Sequence, residues 1–197
     1  MSERTNIAID GSRECRGCPL ALRAFVPGAG VSPCSLMVVG CAPGAEEEDT
    51  GLPFQGKTGR MLREILSGLG LEDRTYFTNV VKRRPVKYKA LEVVSVAPTR
   101  QEIYTCGHHL AREIEKLKPA LILTLGATAL AFLSGRRDLE LSEVHGLPMR
   151  MTRFGMHLTI LPTYDGGYVM RNGGLASEVG SDWIDDIQSI PDLLERT

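Results

Sequence analysis

The stretch VVGCAPGAEEEDTGLPFQGKTG, residues 38–59, decides how this chain folds. It starts as an apolar run ending at Gly40 and passes through a loop rich in glycine and acid. It then reaches Pro53-Phe54 and a helix start near Lys57. A strand that empties through such a loop into a helix is the building unit of an α/β sheet, and ligands bind in these loops at the carboxyl ends of the strands. Cys41, in the middle of the loop, is the residue such a loop least requires.

Working outward, four short apolar runs read as buried parallel strands: SLMVVG (35–40), YFTNVV (76–81), ALILTLG (120–126) and HLTILP (157–162). Helical patterns separate them. In GRMLREILSGLG (59–70), Met61, Leu62, Ile65, Leu66 and Leu69 share one face. A second helix covers 99–118, a third reads GATALAFLSG, and a last one starts at Ser181-Asp182 and carries Trp183, Ile184 and Ile187. The alternation predicts a three-layer α/β/α sandwich around a central, mainly parallel four-stranded sheet, formed by one domain spanning 1–197. Three segments fall at the carboxyl ends of its strands: the loop after Gly40, the segment after Asn79, and PTYDGGYVMRN (162–172).

Composition narrows the function classes. The chain has 197 residues, 43% of them apolar, and a formal net charge of −1, which describes a soluble globular protein. No apolar run approaches the ~20 residues of a membrane span, and the N-terminal residues lack a signal-peptide core, so a cytoplasmic monomer without membrane association is expected. The near-neutral charge argues against a protein that coats nucleic acid, but it leaves room for a local basic patch. Lys82, Arg83, Arg84, Lys87 and Lys89 form the densest basic run and read as a phosphate-contacting surface. Lys57 and Arg60 read as solvated charge. Of five cysteines, Cys15 and Cys18 make a C-x-x-C pair, with Cys34, Cys41 and Cys106 beyond. In a cytosolic chain that spacing points to a metal or cluster before disulfides.

The 38–59 loop matches neither G-x-x-x-x-G-K-[ST] nor G-x-G-x-x-G, and its acid run Glu46-Glu47-Glu48-Asp49 would repel phosphate. The whole chain instead resembles the iron–sulfur (family 4) uracil-DNA glycosylases. The resemblance rests on an ordered set: CRGCPL, GCAPGAEEEDTGLPFQGKTG, TNVVKRRP, the strand and turn ALILTLGATA, and DGGYVMRN. It implies an enzyme that rotates a base out of the DNA stack and reads its edge in a snug pocket. Phe54, by its place in P-F-x-G, would stack on the base. Asn79, by its place in T-N-x-V-K, would pair with N3–H and O4 of uracil, since an amide offers a donor and an acceptor side by side. Gly40 and Ala42 would line the pocket, and Arg171 would lie near the extruded nucleotide. DNA is the partner implied.

Breaking the glycosidic bond requires stabilisation of the departing uracil anion and an oriented water. Glu47 matches the family's second acidic position and is the candidate to orient water or stabilise cationic sugar character; Glu46 and Glu48 read as solvated. Two positions in the base pocket depart from the pattern. Cys41 replaces a glutamate, and Asp165 replaces the histidine that donates a hydrogen bond to the base oxygen. An ionised Asp only accepts. Two unit charges about 4 Å apart at an effective dielectric near 20 interact by about 4 kcal/mol, which would slow uracil release roughly a thousandfold. Four readings stay open: a protonated Asp165 that donates, a different base that offers a donor there, binding without cleavage, or a turn that uses Asp165 for its own backbone. The resemblance also implies a [4Fe–4S] cluster held by four cysteines. Cys15, Cys18 and Cys106 match three of them, but Arg83 stands at the third position and cannot ligate iron. His108 and His109 are the neighbours able to replace the missing ligand, with a helix surface as the alternative reading for both, so the cluster is absent, incomplete, zinc-substituted or completed by an unusual ligand. No histidine occurs in 82–105, a segment longer than the family's usual spacing, so the covalent sugar capture of some relatives is not expected. Excision of uracil or a related base leads. Its rivals are a non-catalytic binder of DNA or modified bases and an enzyme acting on a free nucleotide.

Overall fold

The apolar runs fold into neighbouring parallel strands, as their two-sided burial requires. A computed structural model describes residues 5–9, 15, 17–90 and 92–196. Its strands are β1 (Thr5–Ile9), β2 (Gly28–Ser32), β3 (Leu36–Gly40), β4 (Thr75–Asn79), β5 (Val86–Lys89), β6 (Glu92–Ser95), β7 (Leu121–Leu125), β8 (Met149–Arg153) and β9 (Met156–Thr163). The main sheet runs β1-β2-β4-β3-β7-β9-β8. β4, β3, β7 and β9 are its four parallel strands, in the places expected. The sheet is wider than expected, however, because β1 and β2 extend one edge and β8 the other, all antiparallel. These edge strands, such as GAGVS and MRMTR, are half-exposed and lack the continuous apolar run that betrays a central strand.

Alternation along each central strand sends side chains to two cores. Met37 and Val39 face one layer, in which α3 (Arg100–Leu117) contributes Leu110 and Ile114, and α4 (Gly126–Ser134) contributes Leu130 and Leu133. Leu36 and Val38 face the other, with Leu62 and Leu66 of α2 (Lys57–Gly68) and Trp183 and Ile187 of α7 (Glu178–Gln188). α1 (Ala45–Thr50), α5 (Leu141–Val144), α6 (Gly166–Arg171) and α8 (Ile190–Glu195) are short. The last long helix begins earlier than its apolar pattern indicates, because Ser177 caps it by accepting from the Gly180 N–H at 3.1 Å. The chain from β3 returns to β4 through α2 on one face, while the chain from β7 reaches β9 through α4 on the other. The loops after β3 and β7 therefore diverge, and a crevice opens between them at the carboxyl ends. Among the described residues, no helix is long and apolar enough to cross a membrane.

One buried ion pair ties the end of β4 to α3. Lys82 and Glu113 are 0% and 1% exposed, with Lys82 Nζ 2.7 Å from Glu113 Oε2. Lys82 Nζ also donates to Thr78 Oγ1 and, at 2.8 Å, to the carbonyl of Asn79. Thr78 Oγ1 donates to the same carboxylate oxygen at 2.7 Å. Removing one partner leaves a buried charge uncompensated, so Glu113→Ala is expected to destabilise the protein by about 3–5 kcal/mol. The paired change Lys82→Met with Glu113→Leu should recover much of that loss. Urea-denaturation midpoints measure both, and a Glu113→Ala midpoint equal to the wild type would refute the pair's role.

Candidate functional site

The crevice is a cavity of about 690 Å³ lined by the loops after β3 and β7, the end of β4 and the start of α6. Gly40, the last residue of β3, sits at its floor because nothing larger fits. A Cβ there would lie 2.4 Å from Asn79 Oδ1 and 3.0 Å from Phe54 Cζ. Asn79 and Phe54, far apart in sequence, thus meet over a position that lacks a side chain. Asn79 is buried at the end of β4, beside Gly40 in parallel register, and its carbonyl is held by Lys82.

Phe54 is held against its own conformational preference. Its φ of 59° lies in the left-handed region, which costs a non-glycine residue on the order of 1–3 kcal/mol. The surrounding contacts fix it there. Arg63 donates from Nε to the Phe54 carbonyl at 3.2 Å and from Nη2 to the Pro53 carbonyl at 3.1 Å. The same guanidinium lies 3.8 Å from the centroid of the Phe77 ring, which Phe54 also contacts with ring centroids 5.6 Å apart. Gly59 lets α2 pass beneath, since a Cβ there would come within 2.5 Å of the Phe54 backbone.

Glu47 organises the loop. Oε2 accepts from the Gly44 N–H at 2.9 Å, while Oε1 accepts from the N–H groups of Gln55 at 2.9 Å and Gly56 at 2.7 Å. Three backbone donors therefore converge on one carboxylate that also borders the cavity. Glu46 stays largely in solvent and pairs with Arg60. Glu48, which the sequence suggests is solvated, instead is mostly buried against Arg23 and Arg84. Across the cavity, Asp165 caps α6, with Oδ1 accepting from the Tyr168 N–H at 2.9 Å. Its other oxygen faces Gly126, which has φ +83° and where a Cβ would lie 3.3 Å from Oδ2. Cys41 and Ala42 line the same cavity. Burial pushes the Cys41 thiol up, a hydrogen bond from Thr128 opposes this, and Asp165 adds to it. Cys41 is therefore a neutral thiol at pH 7, unsuited to nucleophilic attack. A somewhat larger groove of about 830 Å³ runs along the β1–β2 edge by Gly30, Leu52 and Asp73, and it contains none of Gly40, Asn79 or Asp165.

All of the ordered motifs except CRGCPL border this cavity, and similarity to known proteins agrees with them. Residues 27–186 match the profile of the Uracil DNA glycosylase superfamily. The chain belongs to that superfamily. A Type-4 uracil-DNA glycosylase of Thermotoga maritima is 33% identical over 98% of this chain and 96% of its own length. Proteins of the same name from Archaeoglobus fulgidus and Pyrobaculum aerophilum are 34% and 37% identical, each over 86% of this chain and over 84% and 86% of their own lengths.

Within the superfamily frame, Gly40, Cys41, Ala42, Glu47, Phe54, Asn79, Asp165 and Arg171 all border one cavity. The basic run does not stay together. Lys82, expected at the surface, is fully buried against Glu113, so it cannot meet phosphate. Arg83 is also turned inward: its guanidinium donates to the carbonyls of Arg23 and Ala21 and lies over the Phe25 ring. Arg84 pairs with Glu48 and donates to Ser95 Oγ at 2.8 Å. Of the five basic residues, only Lys87 and Lys89 are exposed, on the hairpin β5–β6 that occupies the enlarged segment. The cavity also takes in Gly126, Ala127 and Thr128 of the ALILTLGATA turn, which sequence reasoning leaves without a role. The signal is present, since LTLG ends its strand as MVVG ends β3.

The four-cysteine cluster that the resemblance implies does not fit these residues. Arg83 stands at the third position with its side chain committed to backbone carbonyls. Cys106 is buried on α3, and its Sγ accepts from the Lys82 N–H at 3.1 Å. Burial pushes the Cys106 thiol up to about 11, and Cys15 and Cys18 act on it in the same direction. Among the described residues, no group of three or more potential ligands is close enough together to hold a metal as it stands. Cys34 lies apart, buried before β3. His109, expected on a helix surface, is buried at 4% exposure.

Glu47→Gln keeps one acceptor oxygen and turns an NH₂ group toward backbone N–H groups. The loop is then expected to lose about 1–3 kcal/mol of local stability. Hydrogen exchange at the amides of Gly44, Gln55 and Gly56 should accelerate. Unchanged exchange at all three would show that the carboxylate does not hold the loop.

Proposed function

We propose that this protein is a DNA glycosylase that takes an extruded uracil, or a base presenting the same edge, into the cavity and hydrolyses its N-glycosidic bond. The observation that carries this reading is the meeting of Asn79 and Phe54 over Gly40. An amide and an aromatic ring held side by side can read a base edge and stack on its face. The names of the curated relatives, uracil-DNA glycosylases throughout, point the same way. Asn79 pairs with N3–H and O4, and Phe54 stacks on the ring. Glu47 holds the loop through three N–H groups and keeps acceptor capacity for an attacking water. Arg171 borders the cavity on α6 and lies near the extruded nucleotide.

Binding to DNA falls to the exposed part of the basic segment. Lys87 and Lys89 flank the exposed Tyr88 on the β5–β6 hairpin, whose base is anchored by Arg84 to Ser95. Changing both lysines to glutamine is expected to weaken DNA binding and to reduce the slope of log K against log salt by about 2. A slope unchanged in a salt titration would remove the hairpin from the interface.

Asp165 favours a second reading, in which the base is bound and not cleaved. It offers an acceptor where departing uracil needs a donor, and one of its oxygens already caps α6. An abasic-site assay decides between the two. The purified full chain is incubated with oligonucleotides carrying uracil, hypoxanthine, xanthine or modified pyrimidines. Cleavage of the uracil strand by the wild type, lost in Asn79→Ala, is the expected result; binding with no cleavage of any strand would refute the enzyme. Asp165→His should raise uracil excision, up to roughly a thousandfold if Asp165 is ionised against the leaving base. An equal or lower rate would refute that penalty.

A further inference from the structure

Two side chains in the cavity keep hydrogen-bonding atoms that the fold leaves uncommitted, and their order across it specifies a ligand edge. Asn79 is only 6% exposed, yet among the described residues no group hydrogen-bonds its side-chain amide, which opens on the cavity. A buried amide without a protein partner is met by a ligand or by water. Asp165 stands across from it. Its Oδ1 accepts from the Tyr168 N–H at 2.9 Å, but among the described residues no donor reaches Oδ2, which faces Gly126. Asn79 ends β4 and Asp165 follows β9, the two extremes of the order β4-β3-β7-β9. Three strand spacings separate them, about 14 Å, and side chains reaching inward from both ends leave a gap that a planar base can bridge. The amide also has a direction. Its Oδ1 is the atom nearest the place of a Gly40 Cβ, at 2.4 Å, so the carbonyl faces β3 and the NH₂ group lies on the side away from Asp165. Read from β4 towards β9, the wall therefore offers a donor, an acceptor and a second acceptor.

We propose that the cavity is selective for a guanine-type base, a 2-amino-6-oxopurine, read by Asn79 and Asp165 together. The inference rests on the reading that the cavity receives an extruded base, and it names which base. The complement of the wall is an edge that reads acceptor, donor, donor. Guanine has that edge: O6 accepts from Asn79 Nδ2, N1–H donates to Asn79 Oδ1, and the 2-amino group donates to Asp165 Oδ2. Uracil and thymine share the C=O and N–H that Asn79 reads, but they set O2 against Asp165, acceptor to acceptor. Hypoxanthine has only a C–H there. Cytosine and adenine put an amine against Nδ2 and a ring acceptor against Oδ1, so they fail at Asn79 itself. Space does not exclude a two-ring base, because the cavity has about 690 Å³ and glycine at positions 40 and 126. Changes at N7 or C8 leave this edge intact, so a guanine altered there is read in the same way. Specificity therefore falls to the second oxygen of a residue whose structural role, capping α6, uses only the first.

The test is equilibrium binding, by anisotropy, of the full chain to single-stranded oligothymidine carrying one central guanine, hypoxanthine, 2,6-diaminopurine or uracil. A single strand removes the cost of unpairing, and the readout needs no cleavage. Guanine is expected to bind roughly 10- to 100-fold more tightly than hypoxanthine, the worth of a hydrogen bond to a carboxylate, with uracil no tighter than hypoxanthine. Asp165→Asn keeps an N-cap and a neutral acceptor, so it should narrow the ratio to about 2- to 10-fold. Asp165→Ala should abolish the ratio, and Asn79→Ala should weaken guanine and hypoxanthine alike. Guanine bound no more tightly than hypoxanthine, or a ratio unchanged in both Asp165 variants, would overturn the proposal. So would 2,6-diaminopurine bound more tightly than guanine, since its edge reads donor, acceptor, donor. If Asn79→Ala alters the binding of none of the four, the base-receiving cavity itself fails; a response to Asn79 without a guanine preference sinks the guanine assignment alone.

Discussion

The functional end of this molecule depends on the missing side chain at residue 40. β3 and β4 are in parallel register, Gly40 beside Asn79, so the amide necessarily stands next to the end of β3. With Asn79 Oδ1 and Phe54 Cζ both within 3.0 Å of where a Cβ would sit, any side chain has to displace one of the two. The constraint reaches outward from there. Phe54 takes up its place only with a left-handed backbone, which Arg63, Phe77 and Gly59 together over-determine. The loop that delivers Phe54 is closed by the Glu47 carboxylate on three N–H groups. An acid run that would be unfavourable around phosphate is therefore consistent with a site for a neutral base.

The support behind Asn79 is built on a different principle. Lys82 and Glu113 place a full ion pair inside the protein, where desolvation is expensive and only good geometry compensates. Its effect is positional: Lys82 fixes the carbonyl of Asn79 and, through its own N–H, the Cys106 sulfur. The residue that looks like part of a DNA-binding run is a strut between the cavity and α3. Asp165 combines two roles, capping α6 with one oxygen and facing Gly126 with the other. That double engagement explains how a turn can carry an acid where a donor is expected without losing the fold.

Much of this is legible in the sequence alone. The four parallel strands announce themselves because burial on both faces leaves only apolar residues, and the motifs at their ends mark the cavity. The antiparallel edges β1, β2 and β8 are not legible, since a half-exposed strand of glycine, serine and arginine has no such composition. The fate of KRRPVKYK is equally hidden. Charge in a sequence suggests solvent, and nothing local says that Lys82 will find Glu113 on a helix 31 residues later. The same holds for Glu48, whose partners Arg23 and Arg84 come from either side of it in sequence. His109 looks like one of two surface histidines, because helical phase alone does not say which face another segment covers.

The claim on which the rest turns is that the cavity receives a base removed from the DNA stack. A duplex carrying 2-aminopurine beside uracil measures this directly, since that fluorophore brightens when its neighbour leaves the stack. On saturation with the full chain, followed in parallel by anisotropy, fluorescence is expected to rise with the wild type and to stay at the duplex level with Gly40→Leu, whether or not the bond is cleaved. Saturated binding by the wild type without any rise in fluorescence would contradict a base-receiving cavity.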